Sequence, residues 1–323
     1  DIRPSRGLGD VYKRQVFRRT FRKSKYLMVP TSSTQNRHIP VMLMESLENL
    51  KIKKNGIYVD GTLGLGGHSE IILQHIDSGL LIGIDRDKDS ISLSKKRLSS
   101  NNNFKLFNDS YQNLNIILEE LNIQAVDGIL LDLGLSSYQL EDNMRGFSHK
   151  YESSLDMRFD KNSADNTAED IIQRNELEEL TRIFKEYGEE RHAYKIAKKI
   201  KDLKGEISVM SITSIVDKVT PYKYRLKTYS RIFQALRIAA NNELDHLSRF
   251  LDDFINLLNP GGRVVIISYH SVEDRIVKHK LKELKHKKEI ELIYKKPLIP
   301  SKEEVSINKR SRSAKMRVGE KIG

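Results

Sequence analysis

Cysteine is absent from this chain of 323 residues, which rules out disulfides, a thiolate nucleophile and any zinc–thiolate site. No apolar run reaches about 18 residues, so no membrane-spanning helix is expected. No basic head, apolar stretch and small-residue cleavage site precedes the folded part, and the expected location is cytoplasmic. The nine histidines show no ligand spacing, so no metal centre is expected.

What is present is enough apolar material, 38% of residues, to bury one large core with an insertion or two smaller ones. The net charge of +12 is unevenly spread. Residues 1–37 hold ten Lys/Arg against two Asp, and residues 278–323 hold fifteen Lys/Arg against six Glu. The segment between them is therefore mildly acidic. Residues 1–37 lack strand alternation and a helical face, so they are expected to be an extension outside the folded domain, artefactual or disordered. The C-terminal basic block is then the natural place for a phosphate backbone.

From residue 38 to 140 short apolar runs alternate with amphipathic segments. GIYVD (56–60), LLIGID (80–85), FKLFND (104–109) and VDGILLD (126–132) read as strands. PVMLMESLENLK (40–51) reads as a helix over a sheet edge, and SEIILQHI (69–76) as a helix started by Ser69. Further helices are expected from about residue 89 to 98 and over 111–122. This is the pattern of a parallel sheet covered on both faces, a doubly wound α/β fold. Residues 141–228 then offer only helical segments, too long for a simple crossover, and are expected to form a helical insertion for substrate recognition. The sheet pattern resumes over 229–323, with one long helix over 231–258, a strand over 263–268, a helix over 270–288, and late strands at 289–295 and 313–322 that pair, one of them at an edge.

Function is concentrated at two strand ends. In GTLGLGG (61–67) glycines permit a sharp turn and close approach to a ligand, and the loop opens a helix whose free N–H groups suit an anionic group. Asp60 precedes it, either capping the turn or facing the ligand. Asp85 ends the next strand about twenty residues on, where a carboxylate can accept the hydroxyls of a ribose or cap the following helix. The spacing is not the G-x-G-x-x-G of a pyrophosphate site, so a nucleoside without pyrophosphate, S-adenosylmethionine above all, fits better. Asp109, Ser110 and Tyr111 end the third strand on the same rim. Tyr111 either stacks on adenine or packs in the seam between sheet and helix. Asp132 ends the fourth strand, and the turn through Ser136 and Ser137 to Gln139 suits a methyl donor and its acceptor.

HIPVMLMES (38–46), YVDGTLGLGGHSEIIL (58–73), DGILLDLGLSSYQL (127–140), LDMRFD (155–160), YGEERHAYKIAKKI (187–200), FQALRIAANNEL (233–244), PGGRVVIISYHSVEDRIVK (260–278) and RSRSAKMR (310–317) together resemble the bacterial RsmH/MraW family. The resemblance runs from His38 to the C-terminus. It implies an S-adenosylmethionine-dependent, Rossmann-like methyltransferase that modifies N4 of a cytidine in the decoding region of 16S ribosomal RNA, with an assembled small subunit as the expected substrate. It places cofactor contacts at Gly66, Gly67, His68, Asp85, Tyr111, Asp132 and Gln139. Tyr111 and Tyr138 stand where the family usually has phenylalanine and proline, and Ser153-Ser154 replace a Gly-Pro pair.

The acceptor atom rests on that resemblance, because the Asn/Asp-Pro-Pro-aromatic signature of many amino-group methyltransferases is replaced by Asp-Leu-Gly-Leu. Asp132, Ser136, Ser137 and His270 are the candidate catalytic residues, His270 with a structural or RNA-positioning role equally open. Arg145, Phe147 and Arg158 are expected to face the RNA, with core packing the rival for Phe147. Arg310, Arg312, Lys315 and Arg317 are expected to contact phosphate. A methyltransferase for another RNA or a small molecule is the alternative. A nicotinamide oxidoreductase is disfavoured by the glycine spacing, and a non-catalytic RNA-binding module would leave the cleft unexplained. A homodimer stays open.

Overall fold

The computed structural model describes residues 39–323, and the extension expected over residues 1–37 lies outside the described residues. Seven strands form one sheet: β1 (Ile57–Asp60), β2 (Leu80–Asp85), β3 (Phe104–Asn108), β4 (Val126–Asp132), β5 (Leu258–Ser268), β6 (Ile290–Leu292) and β7 (Lys315–Lys321). Their order is β3-β2-β1-β4-β5-β7-β6. The first five run parallel, while β7 lies antiparallel between β5 and β6. The expected mainly parallel α/β sheet is present, with the two late strands paired and β6 at the edge.

Burial on alternate faces explains the strands. Val59, Ile82, Ile84, Ile129 and Leu131 pack into one layer with Leu247, Phe250 and Phe254. Tyr58, Leu81, Leu130, Val265 and Ile267 face the opposite layer with Met42, Leu50, Ile72 and Leu73. Period-two alternation sends successive side chains to opposite faces, and here both faces are covered. Helix α1 (Leu43–Leu50) lies over β4 and β5, which are central strands, so the expectation of an edge position is corrected.

Helix α2 (Gly67–Leu73) starts at Gly66, whose φ of 73° places it in the left-handed region. Ser69 does not cap it, contrary to expectation; its hydroxyl donates instead to Asp60 Oδ2 at 2.7 Å. Helix α3 (Lys88–Arg97) is capped by Asp87, which accepts from Asp89 N. Helices α4 (Leu114–Glu120) and α5 (Ser137–Glu141) follow β3 and β4.

Four helices come next: α6 (Ala168–Arg174), α7 (Leu177–Glu186), α8 (Ala193–Lys201) and α9 (Val209–Val219). With Phe147, Leu155 and Met157 they build a separate hydrophobic core that also takes in Ile232, Phe233 and Leu236. The single helix expected over 231–258 is two, α10 (Arg225–Asn241) and α11 (Glu243–Asp253), and residue 258 already belongs to β5. The break is Asn242, at φ 50° and ψ 36°. Asparagine tolerates that left-handed conformation better than most residues with a Cβ, and one residue suffices to redirect the chain. Helices α12 (Ser271–His286) and α13 (Lys302–Ile307) complete the described α-helices. Among the described residues, no helix is long and apolar enough to cross a membrane.

Candidate active site

Strand order reverses between β1 and β4, which opens a crevice at the carboxyl ends of the strands. A cavity open to solvent lies there and is lined by the turn after β1 and the tips of β2 and β4. Gly61 permits the turn, since a Cβ there would come within 2.5 Å of Leu131 Cδ2. Gly64 has φ +51°, and its N–H donates to Asp85 Oδ2 at 2.7 Å. Thr62 Oγ1 accepts from Asp132 N at 2.6 Å. The loop is thereby fastened to both neighbouring strands, and it is a rigid wall of the cavity.

Asp85 lines the cavity, and its second oxygen accepts from Asp87 N at 2.8 Å. Each carboxylate oxygen has more than one acceptor direction, so one remains for a ligand hydroxyl. Burial pushes its carboxyl up to about 6. Asp60 is 1% exposed and is not among the lining residues. It accepts from Thr62 N and Ser69 Oγ, so the turn-capping reading describes its contacts. Tyr111 borders the cavity and meets Phe250 edge to face at 5.7 Å. The packing reading therefore describes its contacts, and the ring also borders the cavity.

Gly66, Gly67 and His68 do not border the cavity. A Cβ on Gly67 would meet Pro40 at 2.4 Å, and His68 is buried with Nε2 3.1 Å from Val41 O. Burial lowers His68 to about 4, leaving the ring neutral. Its Nδ1 lies 3.9 Å from Asp132 Oδ2.

Asp132 lines the cavity, and its Oδ1 accepts from the hydroxyl of Tyr269 at 2.6 Å. Burial raises its carboxyl to about 7 despite that bond, with Asp60 and Glu273 adding repulsion. Ser136 caps α5, its Oγ accepting from Gln139 N while Gln139 Oε1 accepts from Ser136 N. Gln139 Nε2 donates to Asp87 Oδ2. Both residues border the cavity, but their polar atoms already serve this capping box. Ser137 is the first residue of α5.

His270 caps α12, with Nδ1 accepting from Glu273 N and Nε2 3.0 Å from Glu273 Oε1. It does not line the cavity; Glu273 does. The sequence reading missed Glu243, His246, Arg86, Phe159 and Tyr269, of which all but Tyr269 are lining residues. Asp85, Asp132, Glu243 and Glu273 line the cavity with one arginine, Arg86, whose guanidinium is held by Asn241 O and Asp165, while Glu243 is paired with Arg237 at 2.8 and 3.0 Å. Burial lowers His246 to about 4, so it adds no charge. The cavity is acidic.

Several expected RNA contacts are elsewhere. Arg145 is 2% exposed, with its guanidinium on Asp87 Oδ2 at 2.7 Å and on the carbonyls of Arg158 and Phe159. Phe147 belongs to the helical core, and Arg158 is paired with Asp156. These three are structural, because each is consumed by an internal partner. Lys315 and Arg317 share Asp274 and Arg310 lies 3.6 Å from Glu141, so three of the four C-terminal cations have carboxylate partners, while Arg312 is exposed.

The model of the MraW methylase family matches residues 35–322. A ribosomal RNA small subunit methyltransferase H of Halothermothrix orenii is 46% identical over 307 residues, covering 88% of this chain and 98% of that protein. The proteins of the same name from Clostridium botulinum strain Loch Maree and Dictyoglomus thermophilum are 44% and 46% identical, each covering 88% of this chain and 99% and 96% of their own lengths. A solved rRNA methylase of Streptococcus thermophilus is 12% identical with a TM-score of 0.42, covering 89% of this chain and all of that one, a likeness too weak to bear on function. The glycine turn, the carboxylates at the tips of β2 and β4 and a match along nearly the whole described chain make it a member of the MraW methylase family.

Proposed function

We propose that this chain transfers a methyl group from S-adenosylmethionine to N4 of a cytidine in the decoding region of 16S ribosomal RNA, in the cytoplasm and on a largely assembled small subunit. The observation that carries the reading is the acid-lined cavity at the β1/β4 crossing in a chain of this family. Its residues fit the cofactor: a bare-backbone turn admits close approach at Gly61 and Gly64, Asp85 accepts ribose hydroxyls, and Tyr111 with Leu247 offers apolar surface to adenine. Glu273, and Asp132 when ionised, are the right sign for a ligand carrying a sulfonium and an ammonium group.

When bound, S-adenosylmethionine supplies an activated methyl group, so the protein has to align rather than form a covalent bond. Asp132 is the residue in the cavity best placed to orient an amine and receive its proton, since it titrates near neutrality. Transfer to N4 would release one N–H proton, which the Asp132 carboxylate would take up and pass on to water. Tyr269 holds Asp132 in place through its hydroxyl. Ser136 and Gln139 shape the turn beside it. Residues 141–228 and the adjoining α10 form the substrate-recognition part, and a cytidine flipped out of its stack would enter from their side.

Incubation with labelled methyl donor and either assembled small subunits, naked 16S RNA or a metabolite extract tests the reading. N4-methylcytidine in a digest of the subunit RNA is the expected product. Label on another atom, or only in a small molecule, would overturn it.

A further inference from the structure

The cavity leaves a problem of attraction. Beyond the engaged Arg86, and with Glu243 already paired to Arg237, the cavity offers no free cation among the described residues to a phosphate backbone, and Arg310, Lys315 and Arg317 of the C-terminal block have carboxylate partners. A polyanion needs a cationic surface outside the cavity.

Residues 218–231, KVTPYKYRLKTYSR, contain five Lys/Arg and no acidic residue. Within them Tyr222–Tyr224 form a short 3₁₀ turn leading into α10. Tyr222 is 85% exposed, Tyr224 52% and Leu226 71%. Exposed tyrosines next to one another are costly to leave in water without a partner. Their cations are arranged on the rings: Lys223 Nζ lies 4.8 Å from the centroid of Tyr224, and the Arg225 guanidinium 5.5 Å from that of Tyr222. Arg225 also donates back to Thr220 O and Asp217 O, which fixes the turn before any ligand arrives.

We infer that this turn is a docking platform for an unpaired RNA strand, with Tyr222 and Tyr224 stacking on bases and Lys218, Lys223 and Lys227 meeting phosphates. Aromatic rings interleaved with cations are the chemistry of single-strand binding, tolerant of sequence because every base has a π face. Helix α10 links the platform to the site. Its 17 residues run from Arg225 to Asn241, a span of about 25 Å, and Glu243 of the cavity follows at its far end. A strand held at the turn is thus anchored about one helix length from the base to be methylated. This assignment rests on the proposed RNA substrate but goes beyond it in naming the surface.

The test uses the full chain and two readouts. Fluorescence anisotropy with a labelled single-stranded oligouridylate gives a dissociation constant, and methylation of small subunits gives KM and kcat. Y222A/Y224A is expected to weaken oligouridylate binding at least about fivefold and to raise KM for subunits with kcat unchanged, while Y222F/Y224F retains wild-type values. K218Q/K223Q/K227Q should flatten the salt dependence of binding. Unchanged oligouridylate affinity in Y222A/Y224A overturns the platform. So does lost subunit affinity with oligouridylate binding intact, which would mark a protein contact. A wild-type chain that binds oligouridylate through these residues yet methylates no ribosomal RNA supports the platform and removes the proposed activity instead.

Discussion

Replacing Asp132 with asparagine should make the protein less sensitive to pH and far less active. In the folded chain burial raises this carboxyl to about 7 from an ordinary 3.8. The folded state therefore binds the proton more tightly than the unfolded one, and stability from this group is complete below about 4 and lost as pH rises through about 7. At about 1.4 kcal/mol per unit the full difference is roughly 4 kcal/mol. A fifth of the side chain, 21%, is open to the cleft, so solvent screens the charge and about 2 kcal/mol is the realistic expectation. Urea unfolding at pH 4.5, 6, 7 and 8 without cofactor should show the wild type falling by that much more than D132N across the window. Asp60 and Asp85 titrate near 6 in both proteins, so their contribution cancels in the comparison. Asparagine still accepts from Tyr269 but cannot take a proton, and methyl transfer should drop on the order of a hundredfold. Parallel stability curves, or an unchanged rate of transfer, would refute the argument that burial tunes this carboxyl to titrate near neutrality for its chemistry.

Asp85→Asn removes the charged acceptor expected at the ribose, and calorimetry should show cofactor binding weakened roughly tenfold to a hundredfold with the fold intact. Arg145→Met leaves Asp87 buried without its cation, and denaturant unfolding should show a loss of about 3–5 kcal/mol. Asn242→Val forces a β-branched residue into the left-handed conformation between α10 and α11, with an expected loss of about 1–3 kcal/mol in the same assay, whereas Asn242→Gly should stay within about 1 kcal/mol of wild type.

The strands of the parallel sheet were legible because each is a short apolar run closed by a polar residue, and Asp85 and Asp132 announce themselves at such ends. Contacts that depend on distant segments were not. Glu243 sits in a helical sequence with no local mark of a site, and it borders the cavity only because Asn242 breaks the helix just before it. Arg145 reads as a surface cation by its type, since arginine is seldom buried unless paired; its partner Asp87 is 58 residues away. Tyr269 is one more apolar-looking residue at the end of β5, and its hydroxyl acquires meaning only when β4 is laid beside it.

The place of β7 has a consequence for assembly of the molecule. A strand drawn from residues 315–321 fills the slot between β5 and β6, so until it arrives the parallel portion ends in a raw edge of unpaired amides and carbonyls. Such an edge invites pairing with another chain. Refolding should accordingly become less efficient as protein concentration rises, and removal of this segment should convert a monodisperse preparation into one prone to clumping.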